Sequence, residues 1–152
     1  MKKTIEEILE IKKFAFSCQL ARNFSLLSFY KTMLNYIECN FTMVVKTENF
    51  SKVDYASVSK ILASSSLQVD TEFGVFHAAN AWLSYNIKER SRFAKNLLLK
   101  VRLHLLSSRN LEYLLNESSY LSKTDPCVEI LDKSLRDSLN QKYSDRRKVL
   151  QQ

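Results

Sequence analysis

The chain has 152 residues, with one glycine, one proline, 45% hydrophobic and 26% charged side chains and a formal charge of +7. Ordinary usage would place roughly eleven glycines and eight prolines in this length. Tightly turned sheets lean on Gly, Pro, Asn and Asp, and phosphate-cradling loops need several glycines. Gly74 alone supplies neither.

What remains is an all-α chain of about 7–9 helices in antiparallel pairs, joined by short polar connections. The length suits one domain with a sizeable core, and nine Phe, seven Tyr and one Trp argue against disorder. Cys18, Cys39 and Cys127 are odd in number and hold no C-x-x-C pair. They are expected to be buried apolar fillers in a reducing compartment, neither a disulfide framework nor a zinc clip. No apolar run approaches the roughly 18 residues that span a bilayer, and Met1–Glu7 lacks the apolar stretch of a secretion signal. A cytosolic or nuclear protein is the expectation.

Thr4-Ile5-Glu6-Glu7 reads as a capping box, opening a helix through Ile8, Ile11, Ala15 and Cys18 that fades near Asn23. A second helix, expected to be the longest, carries Leu26, Tyr30, Met33, Ile37, Phe41 and Val44, with Leu27, Leu34 and Val45 widening its stripe. Lys46–Asn49 breaks the period. A shorter helix follows on Val53, Val58, Ile61 and Leu62 and ends at Ser64–Ser66. Leu67 and Val69 alternate as a brief extended segment, and Asp70 or Thr71 is expected to cap the next helix.

That helix carries Phe73, Val75, Phe76, Ala78, Ala79, Trp82 and Leu83, the most apolar set in the chain, which places it at the centre. Asn86 is expected to cap a fifth helix with Phe93, Leu97, Leu98 and Val101 inward and Lys88, Arg90, Arg92 and Lys95 on a solvated face. Val101–Leu106 forms an apolar connector, and Ser107 or Ser108 caps a short helix on Leu111, Leu114 and Leu115. Asp125-Pro126 opens the last helix, with the aspartate as cap and proline at the first helical position. Val128, Leu131, Leu135 and Leu139 carry its inward register, and fraying is expected after Asn140.

No constellation of catalytic residues emerges. His77 faces Asn80 and Ala81 at helical spacing, so it has no partner for a metal, and His104 sits in the apolar connector. Glu6, Glu7 and Glu10 favour a helix N-terminus. Trp82 reads as a core residue whose indole N–H needs an interior acceptor. The basic stretch Lys88–Arg102 and the run Arg146-Arg147-Lys148 admit two readings, a solvated face or a nucleic-acid surface.

Several runs carry a resemblance. They are Ile61–Val69, then Glu72, Val75-Phe76, Ala79, Trp82 and Arg90, then Val101-Arg102-Leu103-His104-Leu105-Leu106. Together they resemble the BACK domain, the helical module between BTB and Kelch in BTB-Kelch proteins. Ile11–Ala15 and Ile37–Phe41 resemble its opening helices, and Asp125-Pro126-Cys127, Ile130-Leu131, Tyr143 and Arg147 resemble its closing helix and the lead-in to Kelch. The likeness covers roughly residues 5–147, so residues 1–142 are expected to form a BACK-type helical domain and 143–152 a polar, basic linker.

The resemblance implies a non-enzymatic scaffold without cofactor or metal, part of a substrate adaptor for a cullin-RING ubiquitin ligase. Its partners are then BTB and Kelch domains and, indirectly, a cullin. Dimerisation would come through BTB alone, and neither membrane nor small-molecule substrate is implied. The signature and core residues are Phe14, Ile37, Phe41, Leu62, Leu67, Val69, Val75, Phe76, Ala79, Trp82, Val101, Arg102, Leu103, Leu105 and Leu106.

Three departures stand out. His104 replaces the family's usual proline, which predicts a looser turn, and the stretch from Ala15 to Asn40 is longer than usual. The sequence contains neither a BTB fold nor Kelch blades, and the short cullin-contacting segment is expected to be absent or reduced to a remnant, so by itself the chain is expected to bind cullin weakly or not at all.

Overall fold

A computed structural model describes residues 5–117, 120–123 and 125–150. Every regular element among the described residues is helical. The capping box at Thr4–Glu7, the side chains of Ile8, Ile11 and Ala15, and those of Arg146 and Arg147 lie outside the described residues.

α1 (Ile5–Asn23) turns into α2 (Leu27–Cys39) through a Schellman motif. The Leu26 amide donates to the Ala21 carbonyl at 2.8 Å and the Ser25 amide to Arg22 at 3.2 Å. Ser25 takes the left-handed position at φ 54°, where most chains place glycine. The turn brings α1 and α2 into lengthwise contact, with Phe14, Cys18 and Ala21 facing Tyr30 and Ile37 within one buried core.

The second helix is not continuous. It stops at Asn40 (φ −117°, ψ 21°), whose side-chain amide donates to the Tyr36 carbonyl at 2.9 Å. A single turn, α3 (Phe41–Val44), resumes the same buried line. Leu26 and Leu27, expected on the inner stripe, are 52% and 68% exposed because the turn carries them outward.

A second single turn, α4 (Glu48–Ser51), buries Phe50. Asp54 then caps α5 (Tyr55–Ala63) by accepting the Ser57 amide at 3.1 Å. Val53, expected inside that helix, is buried in the turn before it.

Residues 64–71 are non-helical, and the Gln68 amide donates to the Glu38 carbonyl at 2.9 Å, tying this segment to the end of α2. α6 (Glu72–Tyr85) occupies the middle, touching α4 and the later helices α7 (Ile87–Arg90), α8 (Ala94–Leu98) and α10 (Tyr120–Lys123). Its flanking residues Thr71 and Asn86 make no side-chain capping bond. Asn86 reaches Glu89 instead.

The expected fifth helix is thus three pieces, with a 3-10 turn (Ser91–Phe93) between α7 and α8. Another 3-10 turn (Leu103–Leu105) leads to α9 (Ser108–Asn116), where the Ser107 hydroxyl accepts the Asn110 amide at 3.2 Å. α11 (Asp125–Leu150) is the longest helix at 26 residues and packs along α9. It does not fray after Asn140. Cys127 and Leu131 form its fully buried line, while Val128, Leu135 and Leu139 are half-buried.

Candidate functional site

With an apolar helix at its centre and few turn residues, this chain depends on side chains to fix where its segments meet. Trp82 is 2% exposed near the end of α6, and its indole N–H donates to the Val53 carbonyl at 2.7 Å. That bond joins two positions 29 residues apart. The Arg90 guanidinium lies 4.0 Å from the Trp82 ring centre and donates to the Trp82 carbonyl at 2.6 Å. It therefore seals the end of α6, where a helix leaves carbonyls without partners. Tyr55 stacks on Phe93 at 3.9 Å and 11°, and both rings stand 6.2 Å from Trp82. Burial pushes Arg90 below its ordinary basicity, with Tyr85 and Glu89 pulling in the opposite direction.

A second cross-link lies at the other end of α6. The Glu72 carboxylate accepts the Arg102 amide at 2.7 Å, and the Arg102 side chain donates to the Ser64 carbonyl at 3.1 Å. Together they tie the close of α5, the start of α6 and the 101–103 segment. Near α1 a polar chain runs from Arg22 to Asp54, to the Ser57 hydroxyl at 2.7 Å and on to Tyr30 at 2.9 Å. Ser57 is fully buried, and this network satisfies it. Asn80 accepts the Leu121 amide at 3.3 Å, holding α10 against α6.

Polar contacts thus run from helix to helix, many ending on backbone groups. A cavity of about 300 Å³ lies beside α3 and α6. Phe41, Val45, Val69, Gly74 and Ala78 wall it, and Thr42, Lys46 and His77 are polar groups along it. The single glycine allows a close approach here, because a Cβ on Gly74 would meet the Val69 Cγ2 at 3.0 Å. His77 packs edge-on to Phe73 at 4.7 Å, with its Nδ1 3.9 Å from Glu117. No group of three or more His, Cys, Asp or Glu gathers as a metal site among the described residues.

Of the signature residues, Phe14, Ile37, Phe41, Leu62, Val75, Phe76, Ala79, Trp82, Val101, Leu103 and Leu106 are buried. Leu67, Val69 and Arg102 are half-buried. Leu105 is 62% exposed, contrary to the expectation of a core position, because the 3-10 turn aims it outward. That turn is not loose. Leu105 donates to Arg102 at 2.9 Å and Leu106 to Leu103 at 3.0 Å.

Arg90 departs from the solvated face expected of it. Cys39 is exposed and so is no core filler, while burial pushes the Cys18 and Cys127 thiols up to about 11. The signal for Arg102 was charge embedded within the otherwise apolar run Val101–Leu106, whereas Arg90 sits in a polar run, between Glu89 and Ser91, that carries no such mark.

Residues 16–116 match the family described as BTB And C-terminal Kelch, or BACK. The chain belongs to the BACK family. Human Kelch-like protein 28 is 30% identical over 118 residues, covering 78% of this BACK chain and 21% of the relative. Mouse Kelch repeat and BTB domain-containing protein 3 is 32% identical over 113 residues, 74% of this chain and 18% of its own. Rat Kelch-like protein 2 is 28% identical over 140 residues, 90% of this chain and 24% of the relative. The BACK chain spans about a fifth of the length of these curated relatives. Its α6 cross-links fall inside the matched region.

Proposed function

We propose that this BACK chain is a non-catalytic spacer of a BTB-Kelch-type substrate adaptor for a cullin-RING ubiquitin ligase, acting in the cytosol or nucleus. In this role residues 1–142 form the helical body, and 143–152 lead toward a Kelch propeller. The spacer fixes the orientation of that substrate-reading propeller relative to a BTB domain.

One observation carries the reading: both ends of α6 are locked to segments about 30 residues away, by Trp82 to Val53 and by Glu72 to Arg102. Such long-range bonds resist sliding between helix pairs, and a spacer must keep separation and angle under load. The nucleic-acid alternative loses support because Arg90 and Arg102, within its basic stretch, spend their charge on interior carbonyls. No helix among the described residues is long and apolar enough to cross a membrane.

The test is a graft. This chain replaces the matching segment of a Kelch-like relative, and substrate ubiquitylation is measured in a reconstituted cullin ligase. Retained transfer is expected, and Trp82→Ala in the graft should reduce it. A graft that binds cullin and substrate but transfers no ubiquitin overturns the spacer role. Filter binding to duplex DNA and to RNA across a salt series should show no steep dependence; a steep slope would favour the alternative.

A further inference from the structure

The tryptophan, arginine and glutamate cross-links of α6 bypass the cavity that lies beside this helix and α3. Its volume of about 300 Å³ is twice the roughly 150 Å³ that holds a benzene ring inside a protein core. Phe41, Val45, Val69 and Ala78 give it apolar walls, and Gly74 and Ala81 add little bulk on the α6 side.

Those walls are fixed before anything enters. Phe41 is buried and meets Phe50 edge-on at 6.2 Å. The bond from the Gln68 amide to Glu38 holds the segment that carries Val69, and Val69 rests against Gly74. A pocket already in shape spares a ligand the cost of ordering it.

One cation stands on the solvent side. Lys46 is exposed in the turn after α3, where the Thr47 hydroxyl donates to the Val44 carbonyl at 2.7 Å and steadies the backbone. Its ammonium has no carboxylate partner among the described residues. Glu48, two positions on, is taken by Lys52 at 2.9 Å. His77 faces Glu117 at 3.9 Å, so any charge it takes up is met there. Asp70 lines an adjoining hollow with Cys39 and Gln68, and among the described residues no carboxylate lines the cavity itself.

We propose that this cavity is a binding site for a small carboxylic acid with a compact apolar body, one ring or a short alkyl chain. The body fills the space against Phe41, Val69 and Ala78. The carboxylate pairs with the Lys46 ammonium, with the Thr42 hydroxyl as a second donor. The volume is at the lower end of the roughly 300–1,000 Å³ typical of ligand pockets, which sets the size of the body. One ammonium balances one carboxylate, whereas a phosphate at about −1.5 to −2 leaves charge over.

The experiment titrates phenylbutyrate, and separately the uncharged phenylbutanol, into the isotope-labelled full chain and follows the amide signals by heteronuclear NMR. Saturable binding of phenylbutyrate is expected at or below about 1 mM. It should be at least about threefold tighter than that of phenylbutanol. The shifts should centre on Thr42, Gly74 and Ala78. At about ten times its dissociation constant, phenylbutyrate should raise the melting temperature by about 3–6 °C. Lys46→Met keeps the apolar stem and should remove the preference for the acid. Ala78→Leu puts bulk into the cavity and should abolish binding of both compounds. Where circular dichroism shows that variant unfolded, Ala81→Phe at an exposed position carries the same expectation.

Absence of saturation by about 10 mM overturns the proposal. So does equal affinity for acid and alcohol in the unaltered chain, or a preference for the acid that survives Lys46→Met. Shifts centred on the Cys39–Asp70 hollow, or binding retained by a folded filling variant, overturn it as well.

Discussion

Replacing Trp82 with alanine deletes the largest fully enclosed side chain of the molecule. Truncating an aromatic in a core costs about 3–5 kcal/mol in lost transfer energy and cavity. Two further losses follow. The Val53 carbonyl, on a residue with no exposure, loses the indole donor, worth about 1–3 kcal/mol. The Arg90 guanidinium loses the ring 4.0 Å beneath it, worth about 0.5–2 kcal/mol.

These neighbours relax together, so their costs do not simply add. A total of about 4–6 kcal/mol is expected. At about 2–4 °C per kcal/mol for this size, the melting temperature should fall by about 10–20 °C. Trp82→Phe separates the contributions, since it keeps most of the ring but not the donor, and should cost about 1.5–3 kcal/mol. Urea titration followed by circular dichroism gives both values. A Trp82→Ala cost below about 2 kcal/mol would refute the central placement of α6. A Trp82→Phe cost within about 0.5 kcal/mol of zero would remove the indole–Val53 bond from the account.

Arg90→Ala should lower stability by about 1–2 kcal/mol in thermal unfolding, with Arg90→Lys recovering only part because an ammonium lacks the flat donor fork; no change would mean the guanidinium is solvated after all. Ser25→Gly should stabilise by about 0.5–1 kcal/mol, since glycine holds a positive φ without the steric cost; a loss in urea midpoint would contradict the left-handed turn. His104→Pro should leave stability unchanged or raise it by up to about 1 kcal/mol, because Leu105 and Leu106 donate the two bonds of that turn. A marked drop in melting temperature would show that the His104 amide is needed.

With a thiol-specific reagent on the folded chain, Cys39 should react first, while Cys18 and Cys127 wait for unfolding. Their folded values near 11 exceed the ordinary 9.0, so above pH 9 the unfolded chain gives up protons that the fold retains. Stability should therefore fall as pH rises from 9 toward 11. A flat urea midpoint over that window would count against the burial of both thiols.

Most of the stripes that periodicity exposes do pack, Leu26 and Leu27 at the α1–α2 turn excepted. Phe76, Ala79, Trp82 and Leu83 on α6 follow helical spacing, and so do Leu111 and Leu114 on α9. The interruption at Asn40 was invisible for a physical reason. One non-helical residue tilts the axis without rotating the buried face, so Ile37, Phe41 and Val44 keep their spacing across the break.

The cross-links were hidden differently. Arg90 and Arg102 end on carbonyls, and every residue has one, so no side-chain pattern marks the partner. Only the demand of Trp82 for an interior acceptor could be read in advance, and its partner, Val53, could not. The persistence of α11 past Asn140 eluded composition, because a polar face reads alike in a loop and in a solvated helix. Past Asn140 the Gln141–Asp145 pair at i,i+4 supplies local support, as Asp132–Arg136 does one to two turns earlier.

The outward run of α11 turns small motions at its root into large ones at its tip. From Leu131, seated in the core, to Leu150 the axis covers about 28 Å at 1.5 Å per residue. A tilt of about 10° at Leu131 would sweep the far end through roughly 5 Å, more than the width of a side-chain contact. Whatever follows Leu150 would thus be aimed by the seating of Cys127 and Leu131, and a single methylene lost there would be felt as a pointing error far from where it was made.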